Sequence, residues 1–226
     1  MKRNIITTAD GSKTIQIEEW NEQYHSVHGA IQEAKHVFIK NGLYHYCSAN
    51  AVSNVVSILE IGFGTGLNAF ITSLESDKMK TKIYYVGVEA FPVELEEINE
   101  LNYVTQLQAE NQKDFFRQMH EVSWEVVANM SSYFTLMKQK KYFSDIKDVN
   151  TYDIIYFDAF GSRVQPELWT ETIFQKMYDA LKLNGVLVTY AAKGSVRRAM
   201  LAVGFEVERL QGPPGKREML RATKLA

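Results

Sequence analysis

Cysteine is nearly absent from this 226-residue sequence, in which Cys47 is the single example. One thiol cannot form a disulfide within the chain, and zinc sites made mainly of cysteine are excluded. The five histidines show no spacing typical of metal ligands, so we expect no metal site. Long apolar runs are missing too: the first residues lack the core of a signal peptide, and nowhere do about 18 apolar residues follow one another. We therefore expect a cytoplasmic protein without a membrane segment.

An excess of positive charge is also missing. Lys and Arg number 25 against 27 Asp and Glu, which gives a formal net charge of −2. Proteins that coat nucleic acid through bulk charge have a different balance, so an RNA partner would have to bind a local basic patch. The 46% of hydrophobic and 23% of charged residues are typical of a globular protein, and the length suits one large α/β domain.

From residue 55 onward, apolar segments alternate with glycine-containing turns and helical segments. The segment 55–61 is a continuous apolar run of the kind that is buried on both faces of a parallel sheet. Further strands are predicted at 83–88, 134–137, 152–157, 186–190, 205–210 and 217–222. Helices are predicted from about residue 65, at 166–183 and at 195–202, with two or three more between 92 and 131. This α/β order predicts a Rossmann-like, doubly wound, mostly parallel sheet of seven strands, in which the tight turn at 212–215 makes the last strand antiparallel.

Residues 1–50 differ from the rest in being polar and aromatic. We interpret them as an N-terminal extension or lid, not an independent domain, and assign residues 51–226 to the main domain. A helical segment from about residue 33 is expected to end at Asn41-Gly42, since glycine is common just beyond helix C-termini.

Three glycines follow the first strand of the main domain, at positions 62, 64 and 66, after Glu60-Ile61. Glycines at this place let a ligand approach the backbone at the N-terminus of a helix. A dinucleotide fingerprint would need glycine at position 67, which is Leu67. The turn instead resembles motif I of class I S-adenosylmethionine-dependent methyltransferases. Glu89, 23 residues after Gly66 at the end of the second strand, is placed to accept hydrogen bonds from ribose hydroxyls.

Asp158 follows the most apolar strand of the chain. In a doubly wound sheet this strand lies beside the first, so Asp158 is expected at the crevice that faces the cofactor. Methyl transfer from a sulfonium to an amine requires an aligned, deprotonated nitrogen, and a carboxylate within hydrogen-bond reach can accept the proton. Asp158 is therefore the predicted catalytic residue; the structural alternative is an acid that caps the following turn.

Two blocks of sequence have a more specific resemblance. The segment from Asp158-Ala159-Phe160 to Pro166-Glu167-Leu168-Trp169, and the block Gly212-Pro213-Pro214-Gly215-Lys216-Arg217-Glu218-Met219, resemble the methyltransferase part of the bacterial tRNA-modifying MnmC family (MnmD-type proteins). Tyr24-His25-Ser26 is similar to the front end of that family, so the resemblance covers nearly the whole chain.

This resemblance implies a reaction and a partner. S-adenosylmethionine would methylate the exocyclic amine of 5-aminomethyluridine, or of its 2-thio form, at the wobble position in the anticodon loop of tRNA. By position, the residues that would contact the cofactor are Glu60, Gly62, Phe63, Gly64, Thr65, Gly66, Asn68, Glu89 and Asp158. The residues that would shape the substrate pocket are Phe160, Trp169 and Tyr190.

The chain departs from the family in two respects. The bifunctional enzyme carries a second, flavin-binding domain for which this sequence has no room, so a separate protein is expected to supply the aminomethyl substrate. After the third strand, Met137-Lys138-Gln139-Lys140 lacks the acidic residue expected near the adenine, and Gln139 is the candidate substitute.

Positive charge is concentrated toward the end of the chain. The predicted tRNA-binding residues are Lys193, Arg197, Arg198, Lys216 and Arg217. Charge clusters of this kind are usually solvated surface, and the family resemblance is what favours an RNA role.

Two alternative functions stay open. A polyamine-synthase-like aminopropyltransferase also joins a glycine turn to an Asp after the fourth strand, although a cationic polyamine calls for an acidic pocket. The other alternative is a non-catalytic module that binds the cofactor for a partner protein. The presence of Glu60, Glu89 and Asp158 argues against such a module.

Overall fold

The computed structural model describes residues 2–50 and 55–225 and begins with a small antiparallel sheet. Strands β1 (Arg3–Thr7), β2 (Lys13–Ile17) and β3 (Glu22–Gln23) pair in the order β1-β2-β3. β2 ends at Ile17, whose buried side chain borders the cavity described below.

A continuous helix follows, made of α1 (Ala30–Ala34), a π-helical segment (Lys35–Tyr44) and α2 (His45–Ala49). The predicted helix end at Asn41-Gly42 is wrong, because the helix passes through both residues. Gly42 serves close packing instead: a Cβ atom there would lie 3.0 Å from Val188 and 3.1 Å from Tyr156 of the central sheet. The predicted boundary between residues 50 and 51 adjoins 51–54, which lie outside the described residues.

The central sheet has eight strands, which are β4 (Val55–Ile61), β5 (Lys82–Glu89), β6 (Val127–Asn129), β7 (Phe134–Lys140), β8 (Tyr152–Phe157), β9 (Leu181–Thr189), β10 (Glu206–Gln211) and β11 (Glu218–Thr223). They lie in the order β10-β11-β9-β8-β4-β5-β7-β6. β4 pairs in parallel with β5 and β8, whereas β11 pairs antiparallel with β9 and β10. The mostly parallel sheet with an antiparallel last strand is confirmed. The additional strand, β6, was not predicted; it is only three residues long and lies partly exposed at the sheet edge.

Helices cover both faces of this sheet. They are α3 (Leu67–Met79), α4 (Leu95–Asn99), α5 (Tyr103–Gln106), α6 (Lys113–Glu121), α7 (Glu171–Ala180) and α8 (Gly194–Ala202). Ile58 of β4 belongs to the same apolar core as Phe70 of α3, whereas its neighbour Leu59 belongs to the opposite core with Phe174 of α7. This two-sided burial is the reason that the strands are continuously apolar. In residues 2–50 and 55–225, no helix is long and apolar enough to cross a membrane.

The predicted helix at 166–183 is divided in the structure. A 3₁₀ turn at Pro166–Trp169 precedes α7, and β9 already begins at Leu181. Asn184 adopts a left-handed φ of 61° inside β9, where the register against β8 shifts. Asn184-Gly185 therefore bends a strand and does not join a helix to a strand.

Gly87 of β5 is expected not to tolerate a side chain. A Cβ atom at this position would overlap Cδ2 of Phe63, whose ring lines the cavity. We expect Gly87→Ala to lower the free energy of unfolding by about 1–3 kcal/mol, as overpacking does, in urea denaturation. Gly161→Ala is the matched control, because the nearest atom to its Cβ would be 3.8 Å away. Equal stability of the two variants would contradict this account.

Candidate functional site

A cavity of about 530 Å³ opens at the carboxyl ends of β4, β5 and β8. Doubly wound sheets bind ligands at this edge, and the volume lies in the range of small-molecule sites. The glycine turn lines it together with Glu89 and Asp158, while Arg3, Ile17 and Tyr24 approach from the N-terminal extension. The site is therefore shared between the central sheet and the segment that precedes it.

The glycine turn after β4 is held by the neighbouring strand. The backbone N–H groups of Gly62 and Phe63 both donate to the carbonyl of Val88, each at 3.0 Å. Gly62 has a φ of 89°, and a Cβ atom there would lie 2.7 Å from the carbonyl oxygen of Asp158. The turn needs glycine at position 62 because the chain leaving β8 passes so close.

Two backbone N–H groups fix the carboxylate of Glu89. Its Oε2 accepts from Gly64 at 3.1 Å, and its Oε1 accepts from Phe91 at 3.0 Å. Burial raises the pKa of this carboxyl, and the backbone hydrogen bonds oppose that rise. Each oxygen can still accept another hydrogen bond, so Glu89 fits the ribose of the cofactor that the sequence predicts.

Asn68, in the first turn of α3, joins the buried carboxyl group of Glu60 to the partly buried one of Asp158. Its Nδ2 donates to Oε1 of Glu60 at 2.9 Å and to Oδ2 of Asp158 at 2.8 Å. Burial raises the pKa of Glu60 well above its ordinary value. Asn68 and Asp158 line the cavity, whereas Glu60 lies behind the wall. Glu60 is thus linked to the cavity through Asn68, and its contact with the cofactor stays a prediction.

Asp158 titrates close to neutral pH. Burial raises the pKa of Asp158 to about 7; the charge of Glu33 adds to the rise, and the hydrogen bond from Asn68 and the charge of Lys216 oppose it. A carboxyl group with this pKa is present in both forms near pH 7, so it can accept a proton and release it again.

Aromatic rings enclose the segment after Asp158. The ring of Phe160 lies 5.5 Å from that of Trp20 and 4.9 Å from that of Tyr24, in both cases edge to face. All three side chains line the cavity. Their arrangement offers flat apolar surfaces to a ring-shaped ligand and keeps water away from the Asp158 carboxyl.

Two further side chains hold the backbone of this segment. The indole N–H of Trp169 donates to the carbonyl of Phe160 at 2.8 Å, and the hydroxyl of Tyr190 donates to the carbonyl of Ala159 at 2.8 Å. Of the predicted pocket residues, Phe160 and Tyr190 line the cavity, and Trp169 supports the segment from behind.

The N-terminal extension is tied to the glycine turn through Thr65. Oγ1 of Thr65 forms a hydrogen bond with Nε2 of the buried His25 at 2.7 Å and accepts another from the hydroxyl of Tyr103 at 3.2 Å. Burial lowers the pKa of His25 to about 4, so the imidazole is neutral here. Thr65, like Gly66, supports the turn from outside the cavity lining. No three His, Cys, Asp or Glu residues are placed to hold a metal ion in the described part of the chain.

Sequence reasoning missed several residues of the cavity. Arg3 donates to Glu97 at 2.8 Å beside the cavity, and Trp20 is held by Arg163, which donates to its carbonyl at 2.8 Å. No local motif marks Arg3 or Trp20, because each reaches the site only through the folding of the N-terminal sheet.

The aromatic residues at the mouth were missed as well. Phe91 and Tyr142 are exposed, with ring centroids 6.0 Å apart, and both line the cavity. Phe91 could have been found from the sequence, because it stands two residues after the predicted ribose-binding residue Glu89. Gln139, the candidate for the adenine contact, does not line the cavity, and residues 142–144 do.

The predicted tRNA-binding residues divide into two groups. Lys193, Arg198 and Arg217 are exposed, Arg197 is half-buried, and none of these four forms an ion pair within residues 2–50 and 55–225. Lys216 differs, because its Nζ pairs with Glu33. Four cations are therefore free to meet an external anion, while the charge of Lys216 is engaged inside the protein.

A sequence model of S-adenosyl-L-methionine-dependent methyltransferases matches residues 102–225, more than half of the 226-residue chain. The matched region contains Asp158, Phe160 and the whole C-terminal half of the sheet.

Two curated proteins that are similar to this chain carry the same name. The tRNA 5-methylaminomethyl-2-thiouridine biosynthesis bifunctional protein MnmC of Leptospira interrogans is 30% identical over 215 residues, which cover 90% of this chain and 32% of the relative. The protein of that name from Actinobacillus pleuropneumoniae is 28% identical over 230 residues, which cover 92% of this chain and 33% of the relative. The chain thus spans about a third of the length of these relatives.

Solved structures share the fold. The structure of MnmC2 from Aquifex aeolicus has a TM-score of 0.76 at 22% identity, covering 100% of this chain and 71% of that one. Spermidine synthase from Thermotoga maritima has a TM-score of 0.59 at 14% identity, covering 99% of this chain and 69% of that one. Both likenesses concern the arrangement of strands and helices.

Asp158→Asn is expected to stabilise the protein at alkaline pH. The native pKa of about 7 exceeds the value near 4 of an unfolded aspartate, so stability falls as the pH rises between these two values. An asparagine removes this loss, and we expect the melting temperature to rise more at pH 8 than at pH 5. Thermal unfolding at the two pH values measures the difference.

The control for this prediction is Asp153→Asn, another buried aspartate. Asp153 accepts hydrogen bonds from Lys182 at 3.0 Å and from Tyr46 at 2.9 Å, so its loss should lower the melting temperature at pH 8. A fall in the melting temperature of Asp158→Asn at pH 8 would show that the Asp158 carboxylate stabilises the fold.

Proposed function

The chain belongs to the family of S-adenosyl-L-methionine-dependent methyltransferases, and on this premise we propose that it methylates the exocyclic amine of 5-aminomethyluridine, or of its 2-thio form, at the wobble position of tRNA. The observation that supports this acceptor is the Asp158 carboxyl, which titrates near pH 7 in an aromatic cavity between the glycine turn and Phe160. The MnmC name of the relatives supports the choice of a tRNA uridine.

The residues of the cavity fit the cofactor. Glu89 would accept hydrogen bonds from the ribose hydroxyls, Gly62 and Gly64 leave space along the turn, and Phe91 with Tyr142 offers apolar surface for the adenine. When bound, S-adenosylmethionine supplies an electrophilic methyl group on a sulfonium.

Asp158 would handle the proton of the acceptor amine. Above about pH 7 its carboxylate attracts the incoming ammonium and accepts a proton from it, which frees the nitrogen lone pair. The freed amine would then accept the methyl group that the cofactor supplies when bound. Asn68 holds the carboxyl at 2.8 Å and fixes its direction, while Phe160, Trp20 and Tyr24 would enclose the base and exclude water.

The anticodon loop would meet the exposed cations at the end of the chain. Lys193 and Arg197 lie at the start of α8, next to Arg198, and Arg217 follows in the β10–β11 turn. Single-stranded bases can be splayed out of such loops into a pocket. We assign residues 1–50 to a lid over the base. Lys216, the fifth predicted tRNA contact, is not included in this surface because its ammonium pairs with Glu33.

Two further proposals concern the source of the substrate and the location of the protein in the cell. Methyl transfer consumes an aminomethyl group and cannot create it, so another enzyme activity must supply this substrate, and we propose that a separate protein does so. With tRNA as its substrate, the protein would act in the cytoplasm.

The acceptor is tested with labelled S-adenosylmethionine and tRNA from cells that lack the final wobble modification. We expect label in 5-methylaminomethyluridine or its 2-thio form after nucleoside analysis, and no label with Asp158→Asn, whose cofactor affinity in calorimetry should stay within about threefold of the parent. Transfer of an aminopropyl group to putrescine from the decarboxylated cofactor, with no label in tRNA, would favour the aminopropyltransferase. Cofactor binding without either transfer would favour a non-catalytic module.

The RNA surface is tested by charge reversal. Arg197→Glu with Arg198→Glu should weaken tRNA binding and reduce the magnitude of the slope of log affinity against log salt concentration by about 1–2. The slope depends on the counterions released on binding, and a protein with fewer phosphate contacts releases fewer of them. Lys78→Glu with Lys80→Glu makes the same change in charge at the far end of α3 and should leave the slope unaltered. Equal slopes for both pairs would remove α8 from the RNA surface.

A further inference from the structure

Glu33 and Lys216 form an ion pair behind the cavity. Oε2 of Glu33, in α1, lies 2.5 Å from Nζ of Lys216, in the turn between β10 and β11. The Glu33 side chain is 7% exposed and that of Lys216 29%, so the pair is largely shielded from solvent. Neither residue lines the cavity.

Tyr190 separates this pair from the cavity. Nζ of Lys216 lies 3.7 Å from the centroid of the Tyr190 ring, a cation–π distance, and Tyr190 itself lines the cavity beside Asp158. Its hydroxyl donates to the carbonyl of Ala159, the residue after Asp158. The pair thus stands one aromatic ring away from the predicted catalytic carboxyl.

We propose that Glu33 and Lys216 are positioning residues that set the protonation of Asp158 with opposite signs, so that the carboxylate is available to the substrate amine at neutral pH. The identity of that amine rests on the proposed function; the action on Asp158 does not. The N-terminal helix is then part of the catalytic centre, and Lys216 acts inside the protein and not on the RNA surface.

The two charges must have opposite effects. The anion of Glu33 disfavours the Asp158 carboxylate and raises its pKa, whereas the cation of Lys216 favours the carboxylate and lowers that pKa. The neighbouring titratable groups are Glu60 on β4, Tyr85 on β5 and Tyr190, the residue after β9, and the charge of Asp158 raises the pKa of each of them. Lys216 is a cation that lowers the Asp158 pKa, so its charge reduces the free-energy cost of ionising this carboxyl.

The geometry disfavours a phosphate contact for Lys216. Its ammonium already faces a buried carboxylate and an aromatic ring, and leaving them for RNA would abandon Glu33 as an unpaired buried anion. Arg217, the next residue, is exposed and free for that role.

The test follows the Asp158 carboxyl directly. Carbon-13 NMR of protein labelled at the aspartate carboxyl carbons gives its titration, with Asp158→Asn to assign the signal. We expect Glu33→Gln to lower the titration midpoint by about half a pH unit or more, and Lys216→Met to raise it by a similar amount. The midpoint of the double variant should be close to that of the parent protein. The midpoint of Lys216→Arg should equal that of the parent, because this substitution keeps the positive charge.

The rate of methyl transfer gives a second readout. The acid limb of kcat/KM against pH should move in the same directions as the NMR midpoint, while the salt slope of tRNA binding stays that of the parent. If Lys216→Met does not fold, the titration midpoints of Glu33→Gln and of the double variant can still be compared with that of the parent. Neither of these variants leaves a buried anion without a partner.

Three outcomes would overturn the proposal: shifts of the two single variants in the same direction, an unmoved midpoint in both, or a lower salt slope in Lys216→Met, which would mark a phosphate contact. If the parent protein methylates no tRNA, the proposed function fails, and the NMR titration still decides whether the pair controls Asp158.

Discussion

The carboxamide of Asn68 is the contact on which the candidate site depends. It has two N–H hydrogens and donates them to two carboxyl groups, the buried Glu60 of β4 and the partly buried Asp158 that follows β8. A hydrogen bond to a charged group contributes about 1.5–3 kcal/mol, and an unpaired buried carboxyl costs at least as much. Glu60, behind the cavity wall, and Asp158, in that wall, are therefore held together by Asn68, and the geometry of the two strands is transmitted to the Asp158 carboxyl.

The surroundings of Asp158 explain how a partly buried carboxyl can ionise near pH 7. Burial alone disfavours its charged form, and Glu33 adds to that effect. The hydrogen bond from Asn68 and the cation of Lys216 work in the opposite direction. A balance of this kind suits a group that accepts a proton in each cycle and must release it again. The site gives up some stability to keep this carboxyl buried.

The prediction of strands and turns from the sequence was most accurate where a local pattern of residues has a single physical cause. The apolar runs at 55–61 and 152–157 are strands because both faces of the sheet are covered, and the glycines at 62 and 64 follow from the close approach of two chain segments. Glu89 stands where the turn needs an acceptor for the N–H of Gly64. Gly42 misled the prediction, since close packing against Tyr156 and Val188 explains it and a helix end does not.

The sequence by itself determined most strands and helices of the main domain, the place of the glycine turn, and the position of Asp158 after the fourth predicted strand, because periodicity and turn residues act over a few neighbours. It did not determine β6 or the division of the segment 166–183. Only the tertiary structure decided that Glu60 stands behind Asn68, that Trp20 and Arg3 reach the cavity, and that Lys216 meets Glu33 across 183 positions of the chain. Contacts between such distant residues depend on how whole layers pack, and no local pattern in the sequence records that packing.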